Sequence, residues 1–218
     1  MDKYKNKYRI QSHRKPNWDY SSNALYFLTI VTQKRECNLC EIVNNEIILF
    51  DFGKIVEDEW FKSFEIRNEL ILHQFILMPN HMHAIVEIYN ENRGYISTTN
   101  DIIMTDTIAI AETHGRVPLT IEPNEPIENE ILQITRNSPI RLPKSISSFI
   151  AGFKSAVNTE IDNYIDEHQL DITKYNKNNH FFQPNYHDHI IRNHFEYQTI
   201  SNYIINNSMN WNNDKFYV

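Results

Sequence analysis

Phe75-Ile76-Leu77-Met78-Pro79-Asn80-His81-Met82-His83-Ala84-Ile85-Val86-Glu87-Ile88 is the stretch on which the fold turns. It reads as a strand, a tight break at Pro79-Asn80, and a second strand. So short a link joins antiparallel neighbours, because a parallel pair needs a long crossover. Side chains two apart in a strand point the same way. Met82, Ala84, Val86 and Ile88 therefore share one face, which reads as core. His81 and His83 share the other, where two imidazoles side by side suit a metal ion. The apolar face alone supplies burial, so the histidines are expected on a face left open for chemistry.

Working outward, residues 24–33 are rich in aromatic and β-branched types and read as a strand. Residues 41–50 read as a hairpin turning at Asn44-Asn45. Ile55, Val56, Trp60, Phe61 and Phe64 fall at helical spacing within 52–65. From about 90 to 143 the periodicity disappears, with Pro118, Pro123, Pro126, Pro139 and Pro143 punctuating it. This stretch reads as an irregular excursion within a single domain spanning 1–218, since neither flank looks complete alone. Order resumes with Ser145 as an N-cap. Ile146, Phe149, Ile150, Phe153, Val157, Ile161, Tyr164 and Ile165 then form a long apolar stripe, with Lys154 on its flank. Tyr186 to Ile191 reads as a short strand. Phe195 to Asn207 reads as the last helix, with Ile200, Tyr203 and Ile204 on its inner face. Helices with short hairpins give an α+β class, an antiparallel sheet covered by helices.

Composition excludes several classes. The 218 residues contain four glycines, with no phosphate-cradling glycine motif, which argues against a nucleotide-binding architecture. The hydrophobic share of 41% is enough for a core. The net charge of −7 taken whole disfavours nucleic acid, but it is unevenly spread. Lys3, Lys5, Lys7, Arg9, Arg14 and Lys15 face only Asp2 in the first fifteen residues, whereas acids crowd between Glu87 and Glu130. A local basic surface can coexist with an acidic total, and a solvated tail is the equal alternative. Cys37 and Cys40 lack a second ligand pair for zinc and precede a hairpin rather than a helix, so they read as reduced thiols. With neither a secretory leader pattern nor a membrane-length apolar run, the expectation is a cytoplasmic protein without membrane contact.

A His-x-His pair alone fits a metal site or two half-buried histidines without metal, and His187-Asp188-His189 is a rival pair on another expected strand. Tyr203 and Asn207, four apart, share a helix face. A tyrosine hydroxyl can attack phosphorus covalently, and an asparagine oxygen one turn away can join two histidines around a metal. On periodicity alone Tyr203 also fits as a packing residue, and Tyr186 and Tyr197 stand as equal candidates for a nucleophile.

Met78-Pro79-Asn80-His81-Met82-His83 resembles the histidine–bulky hydrophobe–histidine motif of the HUH single-strand nucleases. Tyr203-Ile204-Ile205-Asn206-Asn207-Ser208-Met209-Asn210-Trp211 resembles the tyrosine helix of their transposase branch. Tyr26 to Gln33, Phe149 to Val157 and Phe182 to Arg192 fit the same pattern. In this order the motifs resemble the REP-associated tyrosine transposases and the related insertion-sequence single-strand transposases, over most of 14–211 apart from the excursion. One departure is Ser208, where relatives usually carry proline.

The resemblance implies the ferredoxin-like HUH endonuclease fold. It implies Tyr203 as nucleophile, and His81, His83 and Asn207 as ligands of Mg2+ or Mn2+. It further implies cleavage and rejoining of single-stranded or hairpin DNA through a 5′-phosphotyrosine, by a monomer or, as in some relatives, a dimer. Arg14, Lys15, Lys34, Arg35, Lys154 and Arg192 are candidate DNA contacts. The alternatives are a DNA-binding protein of the same fold that does not transpose, and a metal-dependent hydrolase using water.

Overall fold

The computed structural model describes residues 3–4, 7–8, 15, 17–90, 142–176 and 178–217. The expected excursion over 90–143 lies almost wholly outside them. A two-residue pair, β1 (Lys3–Tyr4) with β2 (Lys7–Tyr8), precedes the main sheet. The main elements follow as β3 (Ala24–Val31), β4 (Cys40–Val43), β5 (Glu46–Leu49), α1 (Asp51–Glu65), β6 (Leu70–Met78), β7 (His81–Ile88), α2 (Ile146–Glu167), β8 (His187–Ile191) and α3 (His194–Ile205).

β6, β7, β3 and β8 lie side by side in that order as one antiparallel sheet. Leaving out the small β4–β5 hairpin, the order along the chain is β-α-β-β-α-β. β7 lies between β3 and β6, and β3 lies between β7 and β8. These two split crossovers are the ferredoxin-like arrangement expected from the resemblance.

The two faces are covered by different helices. Tyr26, Leu28 and Ile30 of β3, with Met82, Ala84, Val86 and Ile88 of β7, pack against Val56 and Trp60 of α1 and the stripe of α2. Trp60 sits 5.8 Å from Phe75, 5.1 Å from Phe149 and 5.0 Å from Phe153 by ring centroid. On the reverse face Ile85, Ile191 and Ile204 are buried with Phe27, Ile76 and Ile200 beneath α3.

Local chemistry explains the boundaries. Ser145 and Ser148 form a reciprocal capping box that starts α2. Asn193 accepts from the Glu196 amide and starts α3. Asn44 and Asn45 have φ of 52° and 68°, the left-handed pair that a two-residue hairpin needs. Gly53 lets the start of α1 approach the residue just before this hairpin, since a Cβ would collide with the Leu39 carbonyl oxygen.

One expectation is overturned. The histidine face is not open: His81 is 0% and His83 1% exposed. The apolar face of β7 is buried under α1 and α2, but β7 is also an inner strand, and α3 with the tail beyond it closes the other side.

Candidate functional site

The turn before β7 orients its first histidine. Asn80 Nδ2 donates to the carbonyls of Phe216 (2.8 Å) and Arg35 (3.2 Å). Its Oδ1 is thereby the acceptor that faces His81 Nδ1 at 2.9 Å. The Nδ1 proton must lie on this bond, which leaves the lone pair on Nε2. That nitrogen is buried and has no protein partner. His83 Nδ1 lies 2.9 Å from the Thr29 hydroxyl on the neighbouring strand, and its Nε2 turns inward. The rings are 4.6 Å apart. Burial, then the charges of Lys215 and Arg35, push the pKa of His81 down to about 3. Burial, then His81, holds His83 well below the usual histidine value. Both rings are neutral at physiological pH.

The far end of α3 closes the site. The Tyr203 hydroxyl lies 3.2 Å from His83 Nε2 and donates to Asp214 Oδ2, also at 3.2 Å. Tyr203 is 41% exposed, so the expected inner-face residue sits instead on the rim, its ring edge-on to Phe27. Burial and the Asp214 carboxylate push its pKa above the ordinary phenol value, against the hydrogen bond from Asn207. α3 itself ends at Ile205, yet Asn207 keeps helical backbone (φ −64°, ψ −39°) at the head of a tighter turn, Ser208–Asn213. Ser208 opens that turn. Asn207 is 2% exposed, and its Nδ2 donates to Asp214 Oδ2 at 3.4 Å. Its Oδ1 is buried without a partner.

These atoms suit a divalent cation. Buried polar atoms are normally satisfied, and an orphan needs an explanation. Here two orphans, His81 Nε2 and Asn207 Oδ1, belong to one cluster beside a neutral imidazole and a carboxylate. One ligand atom from each of His81, His83 and Asp214 lies within 4.8 Å of the others. The amide behind His81 and the hydroxyl behind His83 are the outer-shell partners that metal-binding histidines typically have.

Sequence reasoning missed Asp214, Asn80, Thr29 and Phe216. Asn80 had a signal in the Pro79-Asn80-His81 run. Asp214 had none, as one acid in an asparagine-rich tail.

The expected DNA contacts divide. Arg35 and Lys34 are exposed beside the site, the Arg35 guanidinium donating to the Lys215 carbonyl at 3.1 Å. The Lys154 ammonium donates to the carbonyls of Gln183, Pro184 and Asn185 at 2.7, 3.4 and 3.2 Å. It staples the segment before β8, and burial pushes its pKa down to about 8. Lys15 covers the Trp18 ring, whose indole donates to Tyr26 on the α1–α2 side. Arg192 lies before α3, and the helix from His194 to Tyr203 alone rises roughly 14 Å. Arg14 lies outside the described residues.

The rival nucleophiles lie elsewhere. Tyr186 meets Ser147 at 3.5 Å, and Tyr197 meets His73 at 3.5 Å. Cys37 and Cys40 are free thiols, exposed and buried respectively, and burial pushes Cys40 up to about 12.

No family model matches this chain. An uncharacterized protein of Haemophilus influenzae is 26% identical over 211 residues, covering 95% of this chain and 93% of that protein. Among solved structures, a REP-associated tyrosine transposase bound to a REP hairpin aligns over 92% of this chain and 73% of its own, at 13% identity and a TM-score of 0.48. A candidate transposase from Deinococcus radiodurans aligns over 90% and 97%, at 14% identity and a TM-score of 0.35. Among the described residues, no helix is long and apolar enough to cross a membrane.

Proposed function

We propose that this chain is a metal-dependent transposase or endonuclease of single-stranded DNA that cleaves and rejoins strands through a 5′-phosphotyrosine at Tyr203. The observation that carries the reading is the Tyr203 hydroxyl, 3.2 Å from His83 Nε2 on the rim of a cluster holding two orphaned ligand atoms. His81 and His83 with Asn207 would hold Mg2+ or Mn2+, and Asp214 is a further oxygen within reach. Such a cation supplies charge neutralisation at a phosphate oxygen.

The rest is the work of the chain. His81 and His83 stay neutral and oriented through Asn80 and Thr29. Tyr203 Oη forms the new bond to phosphorus, and its proton passes to Asp214 Oδ2, to which it is already hydrogen-bonded. The bond to the 3′ oxygen breaks, and that oxygen leaves as a free hydroxyl once protonated. A 3′ hydroxyl can reverse the step and free Tyr203, so joining needs no outside energy. Tyr203 meets His83 of its own chain, so the nucleophile would act in cis. Lys34 and Arg35, both exposed, would contact phosphates.

The test is incubation with a single-stranded hairpin DNA and manganese. A protein–DNA adduct that survives denaturation and disappears in Tyr203→Phe is expected. Cleavage persisting in Tyr203→Phe would overturn the reading.

A further inference from the structure

Past α3 the chain sets large apolar side chains on the surface. Met209 is 59% and Tyr217 50% exposed, and the turn Ser208–Asn213 buries none of its residues. Trp211 is half-buried. Its ring lies 5.2 Å from that of Tyr217, edge to face at 69°, and 6.0 Å from that of His81. An aromatic pair thus stands on the rim, touching the site on one side and solvent on the other.

Cations frame the pair. Phe216, buried, packs with its ring 4.5 Å from that of His81, tilted at 43°. Lys215 Nζ lies 4.8 Å and the Arg35 guanidinium 5.3 Å from the Phe216 ring, both residues being exposed. Their charges reach the His81 ring. The nearby acid Asp214 is turned inward, receiving the Phe216 amide on Oδ1 and Tyr203 on Oδ2, while Glu36 remains outside. Lys34 and Arg35 have φ of 56° and 60°, two consecutive left-handed residues that are not glycine. Thr32 Oγ1 donates to the Glu36 and Asn80 carbonyls, and the Asn80 amide to that of Arg35, holding the strained turn in place. Strain kept by so many bonds at a site edge is a mark of use.

The geometry points to a seat for one unpaired nucleobase on Trp211 and Tyr217, with Arg35 and Lys215 on its phosphates, beside the bond that Tyr203 attacks. The inference rests on the nuclease reading above and adds the part of the strand that is held. A duplex hides its base faces within its own stack, whereas a single strand offers them to an aromatic surface. Cations around the rings match that strand in a chain whose net charge is −7. A second copy of the chain would bring its own acidic surface instead.

The probe is a fluorescein-labelled DNA hairpin with thymidine arms of about ten residues, carrying an abasic site at each arm position in turn. Anisotropy is read with the full chain carrying Tyr203→Phe, so that binding is reversible. One abasic position is expected to weaken binding about tenfold, within the range of a single base–aromatic stack. Adding Trp211→Ala should erase that penalty, Tyr217→Ala should reduce it, and Trp211→Phe, which keeps a ring, should retain most of it. An abasic profile unchanged by Trp211→Ala and by Tyr217→Ala overturns the seat. So does a Trp211→Ala effect that is matched by a change from monomer to dimer. A wild-type chain that forms the adduct while the profile ignores Trp211 leaves the nuclease standing and removes the seat. A Trp211-dependent profile without any adduct does the reverse.

Discussion

The molecule carries two His-x-His pairs of identical spacing on the same face of one sheet. Thr29 of β3 is paired with His83 on one side and His187 on the other. The two histidines are therefore about two strand spacings apart, roughly 9.6 Å. There the likeness ends. β7 is an inner strand roofed by α3 and the tail, and its pair is sealed. β8 is an edge strand, and both of its histidines are exposed. His81 is backed by an amide that leaves a lone pair facing inward. His189 instead spends Nε2 on the Glu196 carboxylate at 2.6 Å. Spacing makes either pair eligible to hold a metal. Position in the sheet and the neighbour behind each ring decide which one offers a buried lone pair to an ion.

The sharpest way to break that comparison is to remove each pair. His81→Ala or His83→Ala should cost at least about 100-fold in manganese affinity and in adduct formation, since losing outer-shell partners alone costs roughly 10–100-fold. His187→Ala and His189→Ala should stay within about threefold. Calorimetry with manganese and a gel assay for the adduct read both. Equal losses from His83→Ala and His187→Ala would mean that the edge pair shares the site.

Much of this was legible in the residues. The Pro79-Asn80 break, the Asn44-Asn45 turn and the Ser145 cap are local chemistry, and all three stand where they were expected. The Tyr203–Asn207 spacing is helical and survives the tightening of the chain after Ile205. What was not legible comes from distant segments. The burial of His81 needs Phe216, whose carbonyl meets Asn80 across 136 positions. A strand pattern shows which side chains share a face but not what will cover it. Lys154 looked like a free cation because acceptors on an irregular segment leave no periodic trace. Asp214 is one acid among asparagines, and only the path of the tail brings it to Tyr203.

If the buried pair acts through its neighbours, those neighbours should separate into tasks. Asp214→Asn should slow adduct formation by about 100-fold, the low end of general acid–base contributions, and change manganese affinity by only a few fold. Single-turnover rates and calorimetry on the same protein separate the two. A matching loss of affinity would make Asp214 chiefly a ligand, and the Tyr203 proton would need another acceptor. Asn80→Ala should do the opposite, weakening manganese binding by about tenfold because His81 loses its fixed tautomer. Unchanged affinity in Asn80→Ala would show that burial alone orients that ring.

The edge pair should reveal itself through stability. Burial alone would raise the pKa of Glu196, but the Arg192 amide and the His189 ring outweigh it, and the net shift is downward. A carboxylate whose folded pKa is depressed stabilises the fold above its unfolded value, about 4.3, and that stability is lost as pH falls through the lower folded value. Glu196 also stands in the first turn of α3, where a negative charge meets the positive end of the helix dipole. The His189 side chain is 48% exposed, so solvent screens much of the attraction. Glu196→Gln should therefore cost about 0.5 kcal/mol at pH 7. The amide can still accept from Arg192, so only the charge is removed. The cost should begin to shrink as pH drops below about 4.3 and approach zero only once pH lies below the depressed folded value, where the wild-type carboxylate is itself protonated. Urea unfolding of both proteins in steps from pH 7 down to the lowest pH at which both still fold measures it. A penalty that does not fall anywhere along that series would place the effect in the shape of the side chain and not in its charge. A loss of adduct formation at pH 7 would tie the edge pair to the chemistry after all.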